Sequence, residues 1–242
     1  DPYYLAPPAT PFAEEVRRDP GKLRIGVIPG ALDGGEIDAD CAAAVADAAK
    51  LCASLGHAVE EVTLDLDFAA IREAAGGVIA ASVAATLNMV TAQRGRPIED
   101  GEIDLVTRAM ASRGSRVTGA DYVLGMQTLH AAGRAVARVH ERFDVLLSAT
   151  LGSPPIRKGS LRGDPLDLAG YGPRLFAFMP NTQLFNVTGQ PAMTVPLAWS
   201  RTGLPIGIQF AAPMGDEATL FRLAGQLEQA RPWAGKRAPF NG

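Results

Sequence analysis

Residues 185–196 read FNVTGQPAMTVP, and residues 203–210, one short turn later, read GLPIGIQF. Gly189 and Pro191 interrupt the first of these two stretches. Because glycine adopts turn conformations freely and proline lacks a backbone N–H donor, we expect any helix that precedes them to end here. We expect the rest of the chain to form a scaffold around this pair of segments.

The apolar, β-branched runs at residues 193–197 and 206–211 predict two neighbouring strands, joined by residues 200–205. Pro196 and Pro205 cannot donate a hydrogen bond to a neighbouring strand. We therefore expect them at strand ends, or where the donor side of the strand faces away from its neighbour.

These segments, followed by GDEATLFRLAGQLEQARPW at residues 215–233, resemble the carboxy-terminal signature of the amidase signature family. Residues 1–30 resemble that family's mid-chain segment, and their sequence is most similar to that of its nylon-oligomer (aminohexanoate cyclic dimer) hydrolase branch. The resemblance implies a serine hydrolase that cleaves the C–N bond of a carboxamide without a metal or organic cofactor. It also implies an α/β fold, in which a mixed β-sheet is flanked by helices.

The residues that the resembled family uses for catalysis are not found in these 242 residues. Members of the family share a lysine, a serine held by a cis peptide and a nucleophilic serine in a Gly-Ser-Ser-Gly-like loop, all before the segment that this chain resembles. The four lysines here stand beside polar or charged residues, without the apolar surroundings that would make an amine a base. The Gly-Ser pairs lack the following glycines of a nucleophile turn.

We therefore assign no catalytic residue and expect the chain to be inactive alone. Residues 1–20, rich in proline, are expected to form an extended arm. Residues 21–242 are expected to be the carboxy-terminal portion of a single amidase-signature domain. Asp1 in place of a methionine fits a truncated or proteolysed protein. The expected partners are the amino-terminal part of the same polypeptide, a small amide substrate and a second copy of the chain.

The resemblance implies that Thr182, four residues before Asn186, faces the substrate. Leu184 and Phe185 would supply apolar contacts nearby. Asn186 is more simply explained as a structural residue, because an amide can satisfy the free backbone groups of a Gly/Pro turn. The other residues of the structural signature are Gly189, Pro191, Gly203, Pro205 and Gly207.

Two further substrate-binding candidates lie earlier in the chain. Thr150 follows the buried strand predicted at residues 145–147, and open α/β sheets bind ligands at the carboxyl ends of their strands. Ser82 lies on a helix predicted at residues 67–94, which by the resemblance borders the substrate cavity. The alternative for Ser82 is a hydroxyl bonded back to a helical carbonyl. Because this helix is apolar or small-sided nearly all round, we expect it to be buried.

The segment from residue 23 to residue 63 predicts a strand, a helix and a parallel strand. Cys41 and Cys52 lie on its helix about 16 Å apart, too far for a disulfide, and are expected to be reduced and buried.

The loop at residues 29–35 follows a strand, but it matches neither G-x-G-x-x-G nor a P-loop. An ordinary turn is therefore favoured over a nucleotide site. Residues 118–121, TGAD, predict a capping box that opens another helix.

Composition excludes several classes of function. A hydrophobic fraction of 47% is ample for a packed core. The net charge of −3 argues against nucleic acid and anionic membranes as partners. We found no run of 18 apolar residues and no signal-peptide pattern, so we expect a cytoplasmic protein.

Residues 153–174, rich in Gly and Pro, predict an irregular surface loop. A non-catalytic small-molecule-binding α/β domain and a nucleotide-dependent enzyme remain as alternatives.

Overall fold

The fold is described from a computed structural model over residues 4–161 and 168–239. Five strands are present in this part of the chain: β1 (Arg24–Val27), β2 (Ala58–Glu61), β3 (Val145–Ala149), β4 (Ala192–Trp199) and β5 (Pro205–Ala211). The helices are α1 (Phe12–Glu15), α2 (Ala39–Ser54), α3 (Phe68–Arg94), α4 (Leu105–Gly114), α5 (Gly119–Val139), α6 (Leu168–Phe178), α7 (Gln183–Thr188) and α8 (Glu217–Ala230).

The strands form one mixed sheet in the order β2-β1-β3-β5-β4. Strand β1 pairs in parallel with β2 and β3, whereas β5 pairs in antiparallel fashion with β3 and β4. The strand–helix–strand unit predicted for residues 23–63 is present as β1, α2 and β2. The predicted fold class, a mixed sheet flanked by helices, is confirmed.

Both prolines of the β4–β5 hairpin lie where the strand pairing does not need a backbone N–H donor. Pro205 is the first residue of β5. Pro196 lies within β4, but the register with β5 shifts between Val195 and Ala198, so the proline coincides with a bulge. Strand β4 is also an edge of the sheet. The other edge, β2, has only four residues, and its last two are Glu60 and Glu61.

The main core lies between the sheet and helices α2 and α8. Helix α2 buries one face, which includes Cys41, Val45 and Cys52. Both cysteines are free thiols, as predicted. Other core residues come from the strands and from α8: Ile25, Val145, Leu147, Ile208, Phe210, Leu220, Leu223 and Leu227.

The chain divides into two compact units. The sheet unit comprises residues 1–65, 135–156 and 178–242, and the helical unit comprises residues 66–134 and 157–177. In the sheet unit, the segment expected to be an extended arm contains α1. Its Phe12 ring stacks on that of Phe221 in α8, with ring centroids 5.0 Å apart. Glu15 is buried and pairs with Arg222, with 2.5 Å between Oε2 and Nε.

Helix α3 dominates the helical unit and has clear boundaries. The side chain of Asp67 accepts a hydrogen bond from the Ala70 N–H at 2.9 Å, and Gly95 ends the helix with φ 66°. The expectation that α3 is buried all round is wrong for this chain, because only Ile71, Ala75 and Ala80 are buried. Its remaining surface has too few neighbours among the described residues.

Helix α3 is long and apolar enough to cross a membrane, judged by length and composition alone. Averaging hydropathy over a window thus identifies a segment that our search for an unbroken apolar run passed over. Core helices of soluble proteins pass the same test, so the observation is weak support for a membrane span.

Two sequence predictions in the middle of the chain had different outcomes. The capping box before α5 is present: the Thr118 N–H donates to Asp121 Oδ2 at 3.0 Å, and the Asp121 N–H donates to Thr118 Oγ1 at 3.1 Å. The irregular loop expected at residues 153–174 is wrong in its last part, where α6 begins at Leu168. Residues 162–167 of that loop lie outside the described part of the chain.

Candidate functional site

The candidate site lies at the carboxyl ends of β1 and β3, where open α/β sheets bind their ligands. The loop at residues 29–35 follows β1, Thr150 follows β3, and Thr182 precedes α7. All three belong to the sheet unit.

Asn181 holds these three segments together. It is fully buried, with an exposure of 0%. Its Oδ1 accepts a hydrogen bond from the Leu32 N–H at 2.8 Å. Its Nδ2 donates to the carbonyl of Ala149 at 2.8 Å and to that of Gly30 at 3.4 Å. One amide therefore ties the loop after β1 and the end of β3 to the start of α7.

Gln209 of β5 extends this buried network. Its Nε2 donates to the Asn181 carbonyl at 2.9 Å and to Ser148 Oγ at 3.3 Å. Sequence reasoning missed both amides. A signal was available for Gln209, since it is a polar residue within an apolar strand, where a buried amide needs partners. No local pattern marks Asn181.

Thr182 is the residue that the resemblance predicts to face the substrate. It stands at the N-cap position of α7, but its side chain makes no capping hydrogen bond. Among the described residues, its hydroxyl has no hydrogen-bond partner. The residue is half-buried.

The hydroxyl of Thr150 is already used. Its Oγ1 lies 2.5 Å from Thr194 Oγ1, and its N–H donates to the Gly207 carbonyl at 3.0 Å. A Cβ on Gly207 would lie 2.5 Å from Thr194 Oγ1 and 2.9 Å from Thr150 Oγ1. The glycine therefore leaves room for this pair of hydroxyls.

Leu184 and Phe185 lie in the protein interior, with exposures of 3% and 4%. Thr188 Oγ1 donates to the Leu184 carbonyl at 2.7 Å. Gly189 ends α7 with φ 83°, and its N–H donates to the Phe185 carbonyl at 3.0 Å. In this chain both apolar side chains anchor α7, and neither is presented to solvent.

The remaining signature residues shape turns. The Gly203 N–H donates to the Ser200 carbonyl at 2.9 Å in the hairpin turn, and the Pro191 carbonyl accepts from the Ala212 N–H at 3.0 Å. Asn186 is exposed, and its side chain makes no hydrogen bond among the described residues. The structure thus gives the bonding role that we expected of Asn186 to Asn181.

Ser82 lies in the helical unit, exposed on α3, with its Oγ donating to the Val78 carbonyl at 2.9 Å. This is the helical back-bond that we kept as the alternative to substrate contact. A cleft of about 510 Å³ lies in the same unit. Its Arg113 and Glu73 pair with each other at 2.6 Å, so they do not form a free catalytic pair.

Four N–H groups of the loop at residues 29–35 already have hydrogen-bond acceptors. Those of Ala31 and Gly34 donate within the loop, and that of Leu32 donates to Asn181. The Gly35 N–H donates to Asp33 Oδ1 at 3.1 Å. A phosphate cradle needs such donors free, so the nucleotide alternative loses its support.

The lysines and cysteines lack the surroundings of a catalytic base or nucleophile. Lys22, Lys50, Lys158 and Lys236 are all exposed, so none has the apolar surroundings that a neutral catalytic amine needs. Burial raises the pKa of Cys41 to about 11 and that of Cys52 to about 12, which leaves both as inert thiols at neutral pH. No cluster of His, Cys, Asp and Glu able to hold a metal ion occurs at residues 4–161 and 168–239.

Comparison with known proteins identifies relatives of this chain. The 6-aminohexanoate-cyclic-dimer hydrolase of Pseudomonas sp. (strain NK87) is 32% identical to this chain, over 97% of this chain and 49% of the hydrolase. The hydrolase of the same name from Paenarthrobacter ureafaciens is 31% identical, with the same coverage. The chain thus spans about half the length of the curated relatives that it matches.

Solved structures of amidases also match this chain. The structure of 6-aminohexanoate cyclic dimer hydrolase complexed with substrate matches with a TM-score of 0.85 and 28% identity, over 98% of this chain and 51% of that one. A bacterial aryl acylamidase of the amidase signature family, 19% identical with a TM-score of 0.75, shows the likeness of the fold alone. The family model described as Amidase matches residues 1–221. The chain therefore belongs to the amidase family.

Proposed function

We propose that this chain forms the substrate-pocket half of a serine amidase, and that the nucleophile and its base lie on a catalytic portion outside these 242 residues. The observation that carries the proposal is the match along nearly the whole chain to about half of each amidase. Within these residues no lysine has a buried environment. The isolated chain is therefore inactive.

The proposed reaction is hydrolysis of a carboxamide through an acyl-serine. The serine hydroxyl attacks the carbonyl carbon, loses its proton to the base, and the C–N bond breaks as the amine leaves with a proton. Water then cleaves the acyl ester, which releases the acid and restores the serine. Backbone N–H groups hold the oxyanion. This chain contributes the pocket wall around the Thr182 hydroxyl.

The substrate class is a small carboxamide. Since relatives over 30% identical are named for 6-aminohexanoate cyclic dimer, this cyclic amide is the first substrate to test. The apolar side chains exposed on the helical unit, among them Ile79, Met89, Val123 and Leu124, are covered in the assembled enzyme. We propose the catalytic portion of the same polypeptide as their cover, with pairing of two copies as the alternative. A cytoplasmic location is part of the proposal.

The test compares the 242-residue chain with the product of its complete reading frame. We expect the region upstream of the Asp1 codon to encode a lysine and a Gly-Ser-Ser-Gly-like loop. The long product should hydrolyse the cyclic dimer, and serine-to-alanine replacement in that loop should abolish the activity. Serine-dependent hydrolysis by the 242-residue chain alone would contradict the proposal. A frame that begins at Asp1 would favour a non-catalytic small-molecule-binding domain.

A further inference from the structure

We propose that Asn181 is a positioning residue: it sets where the Thr182 hydroxyl stands relative to the end of β3, and so controls substrate binding. The inference rests on the proposed function, because Thr182 is the residue through which Asn181 would act. It assigns to the amide of Asn181 a task beyond holding the fold together.

Few side chains other than an amide could make the hydrogen bonds that the Asn181 side chain makes. Its oxygen accepts from one N–H, and its nitrogen donates to two carbonyls, of Ala149 and Gly30. A carboxylate lacks the donors, and a hydroxyl has only one. Because the residue is fully buried, water cannot take over a lost bond.

The backbone of Asn181 is fixed as firmly as its side chain. Gln209 Nε2 donates to its carbonyl oxygen at 2.9 Å, immediately before the peptide bond to Thr182. Thr182 itself contributes only its carbonyl, which accepts the Asn186 N–H at 3.4 Å. The Thr182 hydroxyl has no partner of its own among the described residues, so its position follows that of the backbone, which the bonds of Asn181 hold on the preceding side.

The segments that Asn181 joins are remote in sequence, at separations of 149 residues for Leu32 and 32 residues for Ala149. Thr150 follows Ala149 directly and Thr182 follows Asn181 directly. The bond from Nδ2 to the Ala149 carbonyl, at 2.8 Å, is thus the short link between the two threonine candidates. Loss of that bond removes the side-chain link between the start of α7 and the end of β3.

The first experiment uses NMR on the 242-residue chain. Asn181→Ala is compared with Asn186→Ala, a matched control in which an exposed amide without a hydrogen bond is removed from the same segment. We expect Asn181→Ala to speed exchange of the Leu32 N–H about tenfold and to shift the Thr182 methyl resonance. We expect Asn186→Ala to do neither.

A second variant keeps the test decisive if Asn181→Ala does not fold. Asn181→Asp keeps the side-chain volume and the acceptor for the Leu32 N–H, but it offers at most one donor in place of two. We expect the Leu32 N–H to stay protected while the Thr182 methyl resonance shifts. A Thr182 methyl that responds no more to Asn181→Asp than to Asn186→Ala would overturn the inference.

The product of the complete reading frame supplies the functional readout. We expect Asn181→Asp to raise KM for the cyclic dimer about tenfold with a smaller change in kcat, and to have no further effect in a Thr182→Val background. A rise in KM matched by an equal fall in kcat, in both backgrounds, would mean a purely structural role. If the wild-type product hydrolyses no amide, the proposed function fails, whereas the NMR comparison still decides whether Asn181 positions Thr182.

Discussion

Replacement of Gly225 by alanine should release the amino-terminal segment from the sheet unit. Gly225 lies inside α8, and a Cβ there would stand 1.9 Å from the Val16 carbonyl oxygen and 2.9 Å from its carbon. Ordinary contact between such atoms needs more than 3 Å, so one of the two backbones must move by about 1.5 Å. Neither obstructing atom is the end of a flexible side chain.

The size of the effect depends on which backbone yields. Helix α8 is anchored by Leu223 and Leu227, both with 0% exposure, so moving it disturbs the main core. The segment around Val16 is held by less: the stack of Phe12 on Phe221, worth about 0.5–1.5 kcal/mol, and the pair of Glu15 with Arg222. We therefore expect the segment to detach, and the free energy of unfolding to fall by about 1–3 kcal/mol.

Limited digestion with trypsin measures the release. Arg17 and Arg18 are exposed, but their N–H groups are bonded to the carbonyls of Glu14 and Glu15 at 3.1 and 3.0 Å. Detachment breaks these turns, so cleavage after either arginine should become much faster in Gly225→Ala. Gly77→Ala is the control, because nothing lies within 4 Å of a Cβ at this helical position. It should stabilise the chain by about 1 kcal/mol.

Unchanged cleavage and unchanged stability of Gly225→Ala would refute the contact between the amino-terminal segment and α8. A loss of stability without faster cleavage would mean that α8 moves and the segment stays in place. That outcome would contradict our inference that α8 is held more firmly than the segment around Val16.

Three further predictions concern the sheet unit. Gly207→Ala should lower the free energy of unfolding in urea by about 1–2 kcal/mol, because the new methyl meets two hydroxyls at under 3 Å; unchanged stability would contradict the packing there. Cys41 and Cys52 should resist a thiol reagent in the folded chain at pH 8 and react on unfolding, since burial raises both pKa values; rapid labelling of the native chain would refute this. Burial lowers the pKa of His140 below 6.5. As the pH falls, the imidazole therefore becomes protonated in the unfolded state before it does in the folded state. The free energy of unfolding should decline below pH 6.5, by at most about 1.4 kcal/mol per pH unit. His140→Gln should flatten that decline in urea titrations at pH 7.5 and 5.5, and an unaltered slope would contradict it.

Local chemistry made much of the fold predictable. The reciprocal capping of Thr118 and Asp121, the parallel unit around α2 and the hairpin of β4 and β5 all depend on residues close in sequence. Helix α6 was missed because Gly170, Gly172 and Pro173 make its sequence similar to that of a loop, although Pro173 lies within the helix.

The candidate site was harder to predict because its bonds are not local. Thr182 was named from a resemblance, and its hydroxyl makes no capping hydrogen bond to α7. Asn181 was missed because its partners lie 32 and 149 residues away, and no periodicity reports such a contact. Burial of α3 was overpredicted because an apolar sequence shows what a helix needs, and does not show whether this chain supplies it.

The two edges of the sheet limit how copies of this chain can aggregate. At one edge Pro196 and a bulge interrupt the ladder of β4, and at the other β2 is four residues long and ends in two carboxylates. Neither edge is a good template for an added strand. Aggregates formed on heating should therefore grow through the apolar helix surfaces, remain amorphous and bind little thioflavin T, instead of extending as amyloid fibrils.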